Sequence, residues 1–475
     1  MTSQLAIVLI LHAFMASVTA LHAMMYKRDP RAAIGWIGVC LLLPLAGPIL
    51  YLLFGLNRAR DKAQHLGKRS PPVAFERGQA PRAAAELPAQ MPTAFPNLAR
   101  VGTALSRHDL VAGNAVTALV NGEQAYPAML EAIDQAKHQL LFSTYLLDMD
   151  TTGSKFIDSL AAAARRGVET RVLIDGIGDW YSWPRASRRL AEAGVNVARF
   201  LPPRLLPPNL AINMRNHHKL LAIDNSVAFT GGMNIGDRHC ISLADNPRPT
   251  ADVHFQVSGP VVDQLSTEFQ RLWRFCTGQA CPLPGHHAGA ADGELLCRAL
   301  ADGPDADLDR LTVLLGAALA EARESVLIMT PYFLPPRELI GALQAAAIRG
   351  IRVLLVLPLI NNLPYVHWAT RNMLWEVLLH GVRVVYQVEP FNHAKLFVVD
   401  GRYSLVGSAN WDARSLRLNF ELQLEVYGEK FAADLTNYIE QAAAGGREVT
   451  LTEVDHRSLP VRARDAFCWL FTPYL

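Results

Sequence analysis

One short pattern occurs twice in this chain, in the same register, and that duplication limits what the chain can fold into. The pattern is His-x-Lys-x-x-x-x-Asp, at His217, Lys219 and Asp224 and again at His393, Lys395 and Asp400. Each copy runs on to a glycine and an asparagine: Gly231 and Asn234 in the first, Gly407, Ser408 and Asn410 in the second. The steps from aspartate to glycine and from glycine to asparagine are equal in the two copies. A single His-x-Lys pair is an ordinary surface pair or a satisfied core histidine. Two in one register imply an internal repeat and one site built from both copies.

The surroundings repeat as well. In the first half the pattern predicts a helix from Tyr126 to His138, a strand from Leu140 to Leu147 and a helix from Lys155 to Arg166. A strand from Val168 to Ile174, a helix from Arg185 to Ala193 and a strand from Val195 to Phe200 follow. The motif strand, Lys219 to Ile223, comes next, with Val227 to Thr230 beside it. The second half gives Asp307 to Arg323, Val326 to Met329, Arg337 to Ile348, Ile351 to Leu357, Tyr365 to Leu379, Val382 to Tyr386 and Leu396 to Val399. Arg166-Gly167-Val168 and Arg349-Gly350-Ile351 each place glycine at a helix stop. Alternation of this kind favours mixed sheets flanked by helices. The expectation is two similar α/β domains, residues 121–290 and 291–475, packed face to face about a pseudo-two-fold axis. Residues 61–120, rich in Pro, Ala, Arg and Gln, read as a linker.

The first 60 residues read as a membrane anchor. Leu5 to Met25 are apolar apart from small hydroxyls and two histidines, and Ile34 to Phe54 carry no charge. Each is close to the ~20 residues that cross a bilayer core. The first lacks a basic start and is followed by Lys27, Arg28 and Arg31, unlike a cleavable signal. Pro44 and Pro48 allow the second to be kinked or re-entrant. Arg58, Arg60, Lys62, Lys68 and Arg69 favour a cytoplasmic C-terminal part, and a re-entrant second segment brings the basic stretch from Lys27 to Arg31 to the same side.

Composition then narrows the function. A formal net charge of +2 gives no support to a general nucleic-acid binder. Six cysteines are scattered with no CxxC pair, and Cys276 and Cys281 do not form a zinc spacing with His286 and His287. No metal site is expected, and the thiols read as reduced.

On a strand, His217 and Lys219 point the same way, as do His393 and Lys395, so each copy presents an imidazole beside an ammonium. Asp224 and Asp400 lie an odd number of residues away and should shape the turn and its network. Asn234, Asn410 and Ser408 offer donors to phosphate oxygens. This set suits a phosphodiester, whose anionic oxygens gain charge as a five-coordinate phosphorus forms. One neutral imidazole can attack phosphorus while a second, protonated, serves the leaving oxygen. Asp252 and Glu421 stand at equal distances before Gly259 and Gly428, and a carboxylate on Nδ1 would fix each ring's tautomer. His218, His254 and His367 have no repeated partner and read as structural. Trp180, Trp183 and the stretch from Leu201 to Leu210 could line a lipid-facing entrance or an ordinary loop.

These motifs resemble the phospholipase D superfamily, and more narrowly the bacterial cardiolipin synthases, over nearly the whole chain. The resemblance rests on Arg28-Asp29-Pro30-Arg31 with Trp36, on Leu43-Pro44 and on Tyr51-Leu52-Leu53-Phe54-Gly55. It also rests on Thr330-Pro331-Tyr332-Phe333-Leu334-Pro335, Gly407 through Ser415, Leu418-Asn419-Phe420-Glu421 and the closing Phe471-Thr472-Pro473-Tyr474-Leu475. Gly232 departs from the serine usual there, and Leu359 to Pro364 lack an expected aspartate. The resemblance implies two tandem phospholipase D-like domains behind two hydrophobic membrane helices. It implies condensation of two phosphatidylglycerol molecules to cardiolipin and glycerol at the bacterial inner membrane, with a cytoplasmic catalytic part and no metal or nucleotide. His217 is then the expected nucleophile and His393 the acid/base, although the symmetry permits the reverse. The alternative is a phospholipase D or another phosphatidyltransferase using water or a different alcohol; a nuclease would need a basic groove, and a non-catalytic scaffold would tolerate loss of both histidines.

Overall fold

A computed structural model describes residues 2–27, 30–55, 95–203, 214–283, 293–304 and 309–472. The chain divides into two units, Met1–His65 and Leu66–Leu475. In the smaller, Thr2–Tyr26 form one helix, and its stretch Ala6–Tyr26 is long and apolar enough to cross a membrane. The second apolar segment gives a second, shorter helix that breaks at its prolines, as the sequence allows. Helix Pro30–Leu42 stops short of Pro44, Leu45 takes a φ of 56°, and the chain resumes as Ala46–Leu50 and a π-turn Tyr51–Gly55. Proline supplies no N–H to carry the ladder on, so the break falls where the sequence puts it. The broken segment folds back: Tyr51 Oη lies 2.8 Å from His22 Nδ1, and the Trp36 ring meets Tyr51 edge-on at 5.4 Å. Arg28 and the basic residues Arg58, Arg60, Lys62, Lys68 and Arg69 lie outside the described residues.

The larger unit has nineteen strands among its described residues, fifteen in one mixed sheet and four in two short two-stranded pairs. The first half contributes β1 (Val111–Val120), β2 (Gln139–Thr144), β3 (Glu169–Asp175), β4 (Asn196–Phe200), β5 (Leu220–Ile223), β6 (Val227–Gly231), β7 (Thr250–Ala251) and β8 (Val253–Ser258). The second contributes β9 (Leu295–Asp302), β10 (Ser325–Met329), β11 (Phe333–Leu334), β12 (Arg352–Pro358), β13 (Arg383–Gln387), β14 (Phe391–Asn392), β15 (Leu396–Val399), β16 (Tyr403–Gly407), β17 (Trp411–Asp412), β18 (Glu421–Tyr427) and β19 (Arg447–Val449). Outward from β1 the order is β8, β6, β5, β2, β3, β4; outward from β9 it is β18, β16, β15, β10, β12, β13, closed by β19. In this sheet the seven strands from β1 to β4 match the seven from β9 to β13 in order, and β19 is added at the second edge. The halves do not simply pack face to face as expected, because β1 and β9 join them edge to edge.

Local chemistry explains the elements. β2, β3 and β4 run parallel, as do β10, β12 and β13. Their runs, such as Val172-Leu173-Ile174 and Val353-Leu354-Leu355-Val356, are buried on both faces, as parallel strands under helices must be. Helix Thr151–Arg165 is capped by Asp150, whose carboxylate accepts from Gly153 N at 2.9 Å. It buries Phe156, Ile157 and Leu160 in the first half's core. Gly167 and Gly350 end the matching helices at φ of 90° and 87°, a conformation L side chains avoid.

The expected linker is corrected over its last part. Pro96–Leu105 is a helix, and β1 is the strand at the seam, paired with β8 on one edge and β9 on the other. β1 reads as a linker because small residues fill it and only Asn114 is fully enclosed. Asn114 holds the irregular β1/β9 seam, donating to Val111 O at 2.7 Å and Leu295 O at 3.1 Å. Phe95, Leu98 and Ala99 pack in the second half's core, so the chain enters the first half by crossing the second.

Candidate active site

The approach to each histidine is stitched to the opposite half. His217 N donates to Phe420 O at 2.9 Å and Phe420 N to Arg215 O at 2.8 Å, with a parallel bridge between Asn216 and Phe420. In the mirror position His393 N donates to Ala251 O at 2.7 Å, and β14 pairs in parallel with β7. Both motif strands therefore begin at Leu220 and Leu396, just past the lysines. Asn216 and Asn392 hold these approaches, each accepting through Oδ1 from the backbone N–H two residues on, at 3.1 and 2.9 Å.

Stitching exchanges the carboxylates. His217 Nδ1 lies 2.8 Å from Glu421 Oε2, and His393 Nδ1 lies 3.0 Å from Asp252 Oδ2. Each imidazole is thus oriented by an acid from the other half, and both acids are fully buried. Glu421 also accepts from Ser408 Oγ at 2.5 Å and Asn419 Nδ2 at 3.1 Å. Lys219 Nζ donates to His217 O at 2.9 Å and lies 5.7 Å from the Tyr145 ring centre. Lys395 Nζ donates to His393 O and also stands 2.8 Å from His393 Nδ1. The Tyr145 ring meets His217 edge-on at 5.6 Å, and Tyr332 meets His393 at 6.2 Å.

Burial and crowded positive charge set the protonation states. Burial, then the Lys219, Lys395 and Arg414 charges, hold His217 well below the usual imidazole range. Burial and Lys395, against the opposing pull of Asp252, bring His393 down to about 3. Burial brings Lys219 down to about 7 and Lys395 to about 8. Burial would raise Asp252, but the His393 hydrogen bond and the Lys395 charge outweigh it and hold the group below the usual carboxylate range. Burial lifts Glu421 to about 7 despite Lys219 and its donors. Each lysine acts on the other half's ring as well as its own, so the two ammonium groups and the two imidazoles lie within electrostatic reach of one another.

The structure therefore gathers His217, Lys219, Asp252, His393, Lys395 and Glu421. Asn234 and Asn410 are buried nearby in the chain, each with an Oδ1 that has no hydrogen-bond partner. Ser408 is a correction: its hydroxyl is committed to Glu421 and is not free for a phosphate. Asp224 and Asp400 sit at the far ends of the motif strands. Asp224 accepts from the backbone N–H groups of Lys137, His138 and Gln139, all at 2.8 Å. Asp400 does the same for Arg323, Glu324 and Ser325 at 2.8–2.9 Å. They clamp turns and are hydrogen-bonded to neither imidazole, in keeping with the turn-shaping place their odd spacing gives them. Asn216 and Asn392 were missed although the repeat carried them; Tyr145 and Tyr332 were missed because they stand at non-equivalent positions. Among the described residues no three His, Cys, Asp or Glu side chains cluster as a metal site, and His286 and His287 lie outside them.

Paired imidazoles and lysines, supplied by two matching halves, define a phospholipase D-like enzyme. A family model described as "Cardiolipin synthase, PLD-like domain" matches residues 129–273 and 315–443. A second, "Phospholipase_D-nuclease N-terminal", matches residues 5–55. The chain is 30% identical over 460 residues to the major cardiolipin synthase ClsA of Bacillus subtilis, covering 94% of this chain and 95% of that protein. It is 32% identical over 449 residues to cardiolipin synthase A of Pseudomonas putida strain F1, covering 93% and 92%. Among solved structures, phosphatidylserine synthase of Haemophilus influenzae Rd KW20 superposes with a TM-score of 0.60 at 16% identity, over 80% of this chain and 100% of that one, a likeness of fold. The chain belongs to the cardiolipin synthase, phospholipase D-like family. It is a phosphatidyltransferase acting on phospholipids.

Proposed function

We propose that this enzyme condenses two phosphatidylglycerol molecules into cardiolipin and glycerol through a phosphatidyl-histidine. The observation that carries the reading is the exchanged pair of carboxylate–imidazole contacts, by which each half orients the other half's ring. Lys219 and Lys395 are suited to hold the phosphate oxygens as charge grows on them, a contribution worth about 10²–10³ in rate per donor.

His217 is the better nucleophile. Its Nδ1 faces the Glu421 carboxylate, so Nδ1–H is donated there and Nε2 is the nitrogen suited to attack. His393 Nδ1 faces both Asp252 and Lys395, an arrangement fitted to a ring that gains and loses a proton. An incoming phosphodiester adds negative charge beside His393 and raises its affinity for that proton. His217 Nε2 then attacks phosphorus, the bond to the glycerol headgroup breaks, and His393 gives its proton to the departing glycerol oxygen. The terminal hydroxyl of a second phosphatidylglycerol next attacks the same phosphorus, its proton passes to His393, and the P–N bond breaks. One phosphodiester replaces another, so no energy source enters. The apolar helix Ala6–Tyr26 supports a membrane anchor, and the basic residues Arg58, Arg60, Lys62, Lys68 and Arg69 favour the inner membrane with the catalytic unit on the cytoplasmic side.

The test is purified full-length protein with headgroup-labelled phosphatidylglycerol in vesicles. Cardiolipin and free labelled glycerol in equal amounts are expected, with both lost, by at least about 10³-fold, in His217→Ala and His393→Ala. Phosphatidic acid without cardiolipin would make the enzyme a hydrolase.

A further inference from the structure

Two loops project large apolar side chains beside the site. The first follows β3 and exposes Trp180 (53%), Tyr181 (69%) and Trp183 (88%). The second follows β12, the strand equivalent to β3, and exposes Ile360 (55%) with Tyr365 (43%) at the start of the next helix.

Both are fastened to the groups that flank the imidazoles. Asp175, ending β3, accepts from Ile177 N at 2.9 Å and Gly178 N at 3.0 Å while also accepting from Asn216 N, next to His217, at 2.9 Å. Gly178 packs so closely on Tyr145 that a Cβ would fall 1.8 Å from its carbonyl oxygen. Asp179 pins the far end, accepting from Ser187 N at 3.0 Å and Ser187 Oγ at 2.6 Å. In the second half Tyr332, whose ring meets His393, donates to Asn362 Oδ1 at 2.8 Å, and Asn361 Nδ2 donates to Pro331 O at 2.8 Å. The exposed rings of the first loop are therefore held outward by a built framework.

Their chemistry selects the partner. Tryptophan and tyrosine pair an apolar body with a polar edge and concentrate at the membrane–water interface. Arg185 stacks over Trp180 at 5.1 Å, and Arg188 and Arg189 follow on the surface with Glu192, paired to Arg188, as the acidic counterpart. That excess of positive charge complements anionic headgroups. We propose that this two-sided rim is the surface by which the catalytic unit docks on an anionic bilayer interface, so that lipid reaches the imidazoles from between the loops.

The inference rests on the phospholipid substrate proposed above, and its test separates the two. Full-length protein carrying p-benzoylphenylalanine in place of Trp183 or of Ile348 is reconstituted in phosphatidylethanolamine/phosphatidylglycerol vesicles and irradiated. Ile348 is 69% exposed but ends the helix that leads into the opposite end of β12. Phospholipid adducts are expected at 183 and not at 348, whether or not the preparation makes cardiolipin. Equal labelling at both, none at 183, or a protein adduct there overturns the proposal. In parallel, the Trp180→Ala/Trp183→Ala double variant should lose about tenfold in rate on vesicle lipid while keeping the parent's rate on monomeric short-chain phosphatidylglycerol. An unchanged vesicle rate, or an equal loss on both substrates, also overturns it.

Discussion

Gly232 measures how little space the exchanged site leaves. A Cβ there would fall 2.6 Å from Asp252 Oδ1 and 3.1 Å from Lys395 Cδ, where the other half carries Ser408 against Glu421. Gly232→Ala should lower kcat by about 10- to 100-fold, the usual effect of disturbing an orienting partner, with an unchanged circular dichroism spectrum. Glu421→Gln should cost kcat more than KM by a similar factor or greater, because an amide can hold the wrong His217 tautomer. The pH profile carries a sign. Lys219 and Lys395, lowered to about 7 and 8, are charged below those values and neutral above them. On monomeric lipid kcat/KM should fall as pH rises through 7 to 8. The depressed histidines place any loss from protonating the nucleophile well below pH 6.5; a kcat/KM that climbs between pH 7 and 8 contradicts this. At this scale the paired histidines, lysines and orienting acids were legible because the repeat carried them twice. Ser408 was misread because one hydroxyl can serve a phosphate or a carboxylate, and only the fold decides which.

Asp224 and Asp400 do their work as turn clamps at the scale of elements. Both take a φ of 51°, which aspartate tolerates, and each satisfies three backbone N–H groups at the start of a neighbouring strand. Asp224→Ala should therefore destabilise the unit by roughly 2–4 kcal/mol, read as a lower thermal midpoint, while kcat at low temperature stays near the parent's. Loss of activity without loss of stability would return Asp224 to the chemistry. Helices and parallel strands were readable from apolar periodicity and paired glycine stops. β1 was not, since Ala112, Gly113, Ala115 and Ala118 carry no alternation, and its pairing is decided by β8 and β9, both remote in sequence. The break at Pro44 was visible in the residues, whereas the fold-back of Tyr51 on His22 depends on contacts that sequence spacing does not encode.

For the whole molecule, exchange of carboxylates makes the halves interdependent. Asp252 serves His393 and Glu421 serves His217, so neither half contains one complete imidazole–carboxylate pair of the site. Co-expressed halves should regain transfer only when they associate, and either half alone should be inert. The most direct measurement is to quench the full-length enzyme at alkaline pH during turnover of phosphatidylglycerol and locate the phosphatidyl group by mass spectrometry. The phosphatidyl group is expected on His217, absent in His217→Asn and strongly reduced in Lys395→Met, whose lysine comes from the opposite half. A phosphatidyl group on another residue, or undiminished cardiolipin formation by His217→Asn, would contradict this.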